Sequence, residues 1–129
     1  MTDGERTVLI VEDADDCATT LEIALSTLPY ISIRHAQTAE SALQTLDSEP
    51  VAVLVTDLHL PLMDGLELLA SIRRHPSHSR LPIVIISGDD DPGTPRKALD
   101  LGANAFFGKP YSPAQVRQKI EELIHAHPI

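Results

Sequence analysis

Continuous apolar runs and stretches with helical spacing alternate along this chain. Continuity of apolar residues over a short length is typical of strands buried on both faces. Four such runs occupy residues 7–11, 51–56, 81–86 and 105–107. A fifth segment, residues 30–35, alternates apolar with polar positions, as expected of a half-exposed edge strand. The pattern therefore predicts five strands.

Helical spacing of apolar residues marks the segments that separate and follow these strands. They cover about residues 15–28, 38–46, 66–75, 96–101 and 112–124. Thr38 and Ser112 can cap two of the helices, whereas Pro29 and Gly102 end two others. The acidic, proline-containing segment 89–95 predicts a loop. Strands joined by helices imply right-handed crossovers, so the predicted fold class is α/β, a three-layer doubly wound five-stranded parallel sheet.

Composition narrows the classes of protein that this chain can belong to. Its 129 residues, 43% of them hydrophobic, predict one domain over residues 1–129 with a core at about 7–124. The formal net charge of −9 argues against direct nucleic-acid binding, which needs clustered Lys and Arg. Cys17 is the only cysteine, which rules out an internal disulfide. Because the apolar runs are too short to span a membrane and no secretion signal is evident, we expect a cytoplasmic protein without membrane contact.

Polar residues capable of chemistry follow the predicted strands. They are Glu12-Asp13 after the first strand, Asp57 after the third, Ser87 after the fourth and Lys109 after the fifth. Parallel strands bring these ends to one edge of the sheet, where ligands bind in open α/β folds. Crowded carboxylates need a cation, and Mg²⁺ is the natural candidate because it takes oxygen ligands and accepts phosphate oxygens beside carboxylates.

Plainer interpretations exist for most of these residues taken singly. Asp57 could be a solvated acid, and Lys109 an ordinary surface lysine. The pairs His75/His78 and His125/His127 could suggest a metal site, but no cysteine or second ligand cluster accompanies them, and we expect none. Cys17 fits a buried helix position, and the run Asp89-Asp90-Asp91 a solvated loop.

Taken together, the motifs resemble the response-regulator receiver domain of two-component signalling, from about Thr7 to Leu123. The resemblance rests on four motifs in order: Glu12-Asp13, Thr-Asp-Leu-His-Leu-Pro-Leu-Met-Asp-Gly at 56–65, Ser87-Gly88, and Gly-Ala-Asn-Ala-Phe-Phe-Gly-Lys-Pro at 102–110. It implies the flavodoxin-like strand order 2-1-3-4-5.

The resemblance also implies a metal site. Asp13 and Asp57 would ligate Mg²⁺ directly and Glu12 through water. The backbone carbonyl of His59 would be a further ligand. Lys109 would supply a second positive charge.

Asp57 would be the phosphoacceptor according to the same resemblance. The Ser87 hydroxyl and the Gly88 backbone N–H would contact the phosphoryl group. Phe106 stands at the switch-aromatic position and lacks the hydroxyl that a tyrosine would offer. The Lys109-Pro110 peptide bond would be cis.

The implied function is a phosphorylation-controlled signalling module, not an enzyme acting on an external substrate. Its partners would be a sensor histidine kinase or a histidine phosphotransfer protein, and an unknown downstream protein. A phosphate-independent binding scaffold with the same fold is the alternative, although the complete set of site residues argues against it. A metal-dependent phosphatase is disfavoured because His59 stands where a second acid is common. A flavin carrier is disfavoured because acids end the first strand, where a phosphate-cradling loop is needed.

Overall fold

A computed structural model describes residues 6–12, 15–88 and 91–126, with side chains of the first helix described from Thr20 onward. Strands and helices alternate through this part of the chain. In chain order they are β1 (Arg6–Val11), α1 (Asp15–Leu25), β2 (Ile31–Ala36), α2 (Ala39–Ser48), β3 (Val53–Asp57), α3 (Gly65–Arg74), β4 (Ile83–Ser87), α4 (Thr94–Asp100), β5 (Ala105–Gly108) and α5 (Pro113–Ala126).

All five strands form one parallel sheet in the order β2-β1-β3-β4-β5. This confirms the predicted fold class and strand order. The alternating segment forms the edge strand β2, whereas β3 and β4 are buried along their whole length. Continuous apolar strands lie in the centre because helices cover both faces there.

Successive residues of each strand point to opposite faces of the sheet and build two cores. On one face Leu9 and Leu54 pack with α2, α3 and α4. On the other face Val8 and Val55 pack with α1 and α5. The predicted core stripe of the last helix is buried as expected, at Val116, Ile120, Leu123 and Ile124. The sheet is thereby held rigidly between two helical layers.

Some element boundaries differ from the predicted ones. The loop predicted to reach residue 95 ends at Gly93, because Pro95 occupies the first turn of α4, where proline is well tolerated. Helix α1 ends at Leu25, three residues before the predicted end at residue 28. Asp57 and Ser87 are the last residues of their strands, not the first residues after them, and both are buried. Both polar side chains therefore belong to the rigid sheet.

Within residues 6–12, 15–88 and 91–126, no helix is long and apolar enough to cross a membrane.

Candidate functional site

Lys109 connects two buried carboxylates at the carboxyl edge of the sheet. Its Nζ lies 2.5 Å from Asp57 Oδ2 and 3.2 Å from Glu12 Oε2. Glu12 follows β1, Asp57 ends β3 and Lys109 follows β5, so three strands deliver one residue each. The exposed fraction of Glu12 is 2% and that of Asp57 is 5%. The structure thus joins residues 97 positions apart in a single charged cluster.

Electrostatics keep the Asp57 and Lys109 side chains ionised. Burial alone would raise the pKa of Asp57, but the hydrogen bond from Lys109, the His59 backbone N–H and the lysine charge lower it below its usual value. Burial alone would lower the pKa of Lys109, yet its hydrogen bond and charge interaction with Asp57, together with Glu12, raise it. Asp57 is therefore a carboxylate, and Lys109 an ammonium, at neutral pH.

The connection from β3 to α3 holds the backbone around Asp57 in place. The His59 N–H donates to Asp57 Oδ1 at 2.9 Å, and the Gly65 N–H donates to the Leu58 carbonyl at 2.8 Å. A Cβ on Gly65 would lie 2.5 Å from the Asp57 carbonyl oxygen and 2.8 Å from the Leu58 Cα. Only glycine permits this approach, because the obstacle is backbone, which cannot rotate away.

A capping box starts α3 directly after this connection. Asp64 Oδ1 accepts from the Glu67 N–H at 2.8 Å, and the Glu67 side chain accepts from the Asp64 N–H at 3.5 Å. Leu62, just before the cap, is 97% exposed and has a φ of 71°. Backbone strain of this kind is concentrated at functional sites.

The ends of β4 and β5 form the remaining wall of the site. Ser87 pairs with Gly108, and the Lys109 N–H donates to the Ser87 carbonyl at 2.7 Å. The Lys109-Pro110 peptide bond is cis. Phe106 is partly buried against the core shared by α2, α3 and α4. Ser87 and Phe106 therefore lie on strands whose ends meet at the charged cluster.

The donor atoms at this edge suit a hard cation. Glu12 and Asp57 offer carboxylate oxygens, the ligand type that Mg²⁺ prefers, and their shared contact with Lys109 shows that both oxygens already face a positive charge. Asp13, the third predicted acid, lies outside the described residues. The residues present therefore fit the predicted magnesium site.

Three local features of the site are absent from the sequence-based prediction, and the capping box of α3 is the first. The second is the backbone approach at Gly65, which an isolated glycine does not reveal. The third is a cavity of about 210 Å³ between the β3–α3 connection and α4, lined in part by His59, Asp64 and Lys97. The Asp64-x-x-Glu67 spacing was a readable signal for the capping box.

A doubly wound parallel sheet with two acids and a lysine gathered at its carboxyl edge defines a flavodoxin-like α/β protein with a charged strand-end site. Comparison with known protein families identifies the family to which the chain belongs. The sequence profile of the response regulator receiver domain matches residues 8–121. The chain belongs to this family and is a receiver domain of the two-component response regulator type.

Individual relatives agree with this assignment. The chain is 28% identical over 119 residues to a CheY-type chemotaxis protein of Rhizobium etli, covering 92% of each sequence. It is 35% identical over 116 residues to the transcriptional regulatory protein KdpE of Staphylococcus aureus. That match covers 90% of this chain but only 48% of KdpE. The chain thus spans about half of that longer regulator.

Solved structures also share the fold. A candidate response regulator from Chloroflexus aurantiacus superimposes with a TM-score of 0.88 at 30% sequence identity, covering 94% of this chain and 98% of the other.

Proposed function

We propose that Asp57 is the phosphoacceptor of this receiver domain and takes its phosphoryl group from a phosphohistidine of a sensor kinase or phosphotransfer protein. The Asp57 carboxylate attacks phosphorus, the new O–P bond forms, and the P–N bond to the donor histidine breaks. The observation that carries this proposal is the buried Asp57 carboxylate, held ionised by Lys109 and by the His59 N–H. A nucleophile fixed at a strand end loses little entropy on reaction.

Lys109 has two roles in this proposal. Before phosphorylation its ammonium neutralises Glu12 and Asp57, which would otherwise repel each other in a buried site. During transfer the same ammonium stabilises negative charge on the phosphoryl oxygens. The Ser87 hydroxyl and the Gly88 N–H would donate to those oxygens.

Magnesium belongs to the same proposal. Glu12, Asp13, Asp57 and the His59 carbonyl would hold Mg²⁺, which when bound neutralises part of the charge on the phosphoryl group. The protein would act on its own aspartate only, and would do so in the cytoplasm. It would not be an enzyme with an external substrate.

Phosphorylation would change a surface of the domain through Ser87 and Phe106. A hydrogen bond from Ser87 to a phosphoryl oxygen exists only in the phosphorylated state, so it shifts the equilibrium between two conformations. Phe106 is only partly buried, which leaves its ring room to repack. The surface formed by α4, β5 and α5 would then present itself differently to a downstream protein.

The proposal is tested by intact-protein mass after incubation with a small phosphodonor. We expect one phosphoryl adduct in the presence of Mg²⁺ and none in metal-free samples or in Asp57→Asn. Asp47→Asn is a matched control, since it removes one carboxylate far from the site. An adduct that persists in Asp57→Asn would contradict the assignment of the phosphoacceptor. No adduct on folded protein with Mg²⁺ would favour the phosphate-independent scaffold.

The switch is tested separately by amide NMR spectra with and without a stable phosphate mimic and Mg²⁺. We expect shifts in α4, β5 and α5 that are reduced in Ser87→Ala. Spectra of these elements that do not change would contradict the switch while leaving phosphorylation intact.

A further inference from the structure

A second cluster of potential ligands lies at the end of the sheet opposite Asp57. Asp47, near the carboxyl end of α2, meets His75 and His78 from the α3–β4 connection. One ligand atom from each residue lies within 4.8 Å of the other two. Helices run antiparallel to the strands in this fold, so the carboxyl ends of α2 and α3 meet at the amino edge of the sheet.

The two histidines are held by the turn that ends α3. His75 is the C-cap residue of α3, and its N–H donates to the Ile72 carbonyl at 3.1 Å. The His78 N–H donates in turn to the His75 carbonyl at 3.0 Å. The imidazole rings stack with centroids 4.6 Å apart at 27°. The turn therefore places the two rings side by side before any ligand binds.

Asp47 completes the cluster from a different element. Its Oδ1 lies 3.5 Å from His78 Nε2. The His78 side chain is only 17% exposed, whereas that of Asp47 is 68% exposed. The carboxylate can thus adjust its position over a histidine that is largely fixed.

Two imidazole nitrogens and one carboxylate oxygen form a ligand set typical of Zn²⁺ and neighbouring transition ions, and unlike the all-oxygen set of Mg²⁺. Donors about 2.0–2.1 Å from a tetrahedral zinc ion lie about 3.3–3.4 Å from one another. The contact between Asp47 and His78, at 3.5 Å, already approaches this separation. The remaining separations, up to 4.8 Å, would have to shorten by at most about 1.5 Å to reach the tetrahedral value, which side-chain rotation allows.

His75 can coordinate through Nε2 and keep its present hydrogen bond, or through Nδ1 and lose it. Its Nδ1 accepts from the Ser77 N–H at 3.2 Å, in an exposed position. Coordination through Nδ1 would replace this bond, and the exposed Ser77 N–H would turn to water at little cost.

We propose that Asp47, His75 and His78 form a binding site for a divalent transition-metal ion, with a fourth position open to water. The bound ion would fasten the carboxyl end of α2 to the α3–β4 connection. This site is independent of the carboxylate site at Asp57, which lies at the other end of the sheet and takes a harder cation.

Calorimetric titration of the untagged full chain with Zn²⁺, in excess Mg²⁺, tests the proposal. We expect saturable binding of one ion at this site and a higher melting temperature with Zn²⁺. Asp47→Asn, His75→Gln and His78→Gln should each weaken binding at least about tenfold, because even outer-shell changes at metal sites cost that much. Asp47→Asn alters only an exposed helix position, so it remains informative should a histidine variant be unstable.

Two controls separate this site from other sources of binding. His35→Gln removes an exposed histidine on β2 and should leave zinc affinity unchanged. Asp57→Asn should also leave it unchanged. The proposal is overturned if zinc does not bind, if binding survives all three ligand substitutions, or if affinity falls with Asp57→Asn but not with Asp47→Asn.

Discussion

Two cationic side chains lie at opposite edges of the sheet, and one binds charged partners whereas the other binds neutral ones. Lys109, at the carboxyl edge, lies between the carboxylates of Glu12 and Asp57. Arg73, at the amino edge, donates at 2.7–3.4 Å to oxygens that, among the residues the structure describes, are all neutral. These are the carbonyls of His78, Ser79 and Gly102 and the side-chain amide of Asn104.

The pKa values of the two cations are consequently shifted in opposite directions. Burial lowers the pKa of Arg73, with no carboxylate contributing to the shift, whereas the two acids raise the pKa of Lys109. A cation shared by carboxylates can also contact the oxygens of an incoming phosphoryl group, because its positive charge stabilises the negative charge on those oxygens. A guanidinium bound to carbonyls has no such alternative. The carboxyl edge is therefore suited to chemistry and the amino edge to structural support.

The largest expected difference between the two cations concerns phosphorylation. Lys109→Met should slow phosphorylation of Asp57 by about 100-fold or more, because a preorganised charge on the phosphoryl oxygens is lost. Arg73→Met should leave the rate within about threefold, since Arg73 contacts only the amino edge. Time courses of intact mass with a small phosphodonor and Mg²⁺ measure both. Equal phosphorylation rates in the two variants would contradict a specific role for Lys109 in phosphoryl transfer.

The second difference concerns stability and pH. At pH 7 without Mg²⁺, Lys109→Met should lower the free energy of unfolding by about 3–5 kcal/mol, because two buried acidic side chains lose their cation. The lowered pKa of Asp57 means that its stabilising interaction is present above the unfolded value of 3.8 and is lost as pH falls through the folded value. The penalty of Lys109→Met should therefore shrink below about pH 4.

Arg73→Met is the control for this pH dependence. Its penalty, about 1–3 kcal/mol for carbonyls left without a donor, should stay constant with pH because its partners are neutral. Urea unfolding at pH 7 and pH 3 compares the two variants. Parallel pH profiles would contradict the assignment of charge compensation to Lys109.

The two edges of the sheet can also be compared through two glycines whose substitution would strain the backbone or its neighbours. Gly65→Ala should destabilise the protein by about 2–3 kcal/mol, because the new Cβ meets the Asp57 carbonyl oxygen at 2.5 Å. Gly102→Ala should cost about 1–2 kcal/mol, since its φ of 110° disfavours alanine and its Cβ meets the Arg73 side chain. Only Gly65→Ala should also slow phosphorylation. Slowing by both substitutions would point to a general loosening of the domain.

The smallest expected effect concerns the helix caps. Asp64→Ala should cost about 1 kcal/mol by leaving the Glu67 N–H without its acceptor. Thr38→Ala removes the matching cap of α2, where Thr38 accepts from the Ser41 N–H, and should cost a similar amount. Because Asp64 adjoins the β3–α3 connection, Asp64→Ala alone should also alter the affinity for Mg²⁺, measured by titration. Equal Mg²⁺ affinities in both variants would show that the Asp64 cap does not influence the metal site.

The sequence by itself determined the elements and the carboxyl-edge site. Apolar periodicity is a local signal, so all five strands, all five helices and the edge position of β2 could be read from it. The convergence of Glu12, Asp57 and Lys109 followed from one rule, that parallel strands end at the same edge. The strand ends shifted by a residue or two, since pairing rather than composition decides where a strand stops. Asp57 therefore proved to be a buried strand residue.

Only the tertiary structure decided which distant residues share the amino edge. Asp47 and His78 are 31 residues apart, and Arg73 and Gly102 are 29 apart. Their meeting depends on the lengths and packing of α2, α3 and the loops that end them. The sequence argued against a metal site at His75 and His78 because no cysteine or second ligand cluster accompanies them. Asp47 supplies a third ligand from α2. Its position beside the histidines depends on how α2 and α3 pack, which apolar periodicity within a single helix does not predict.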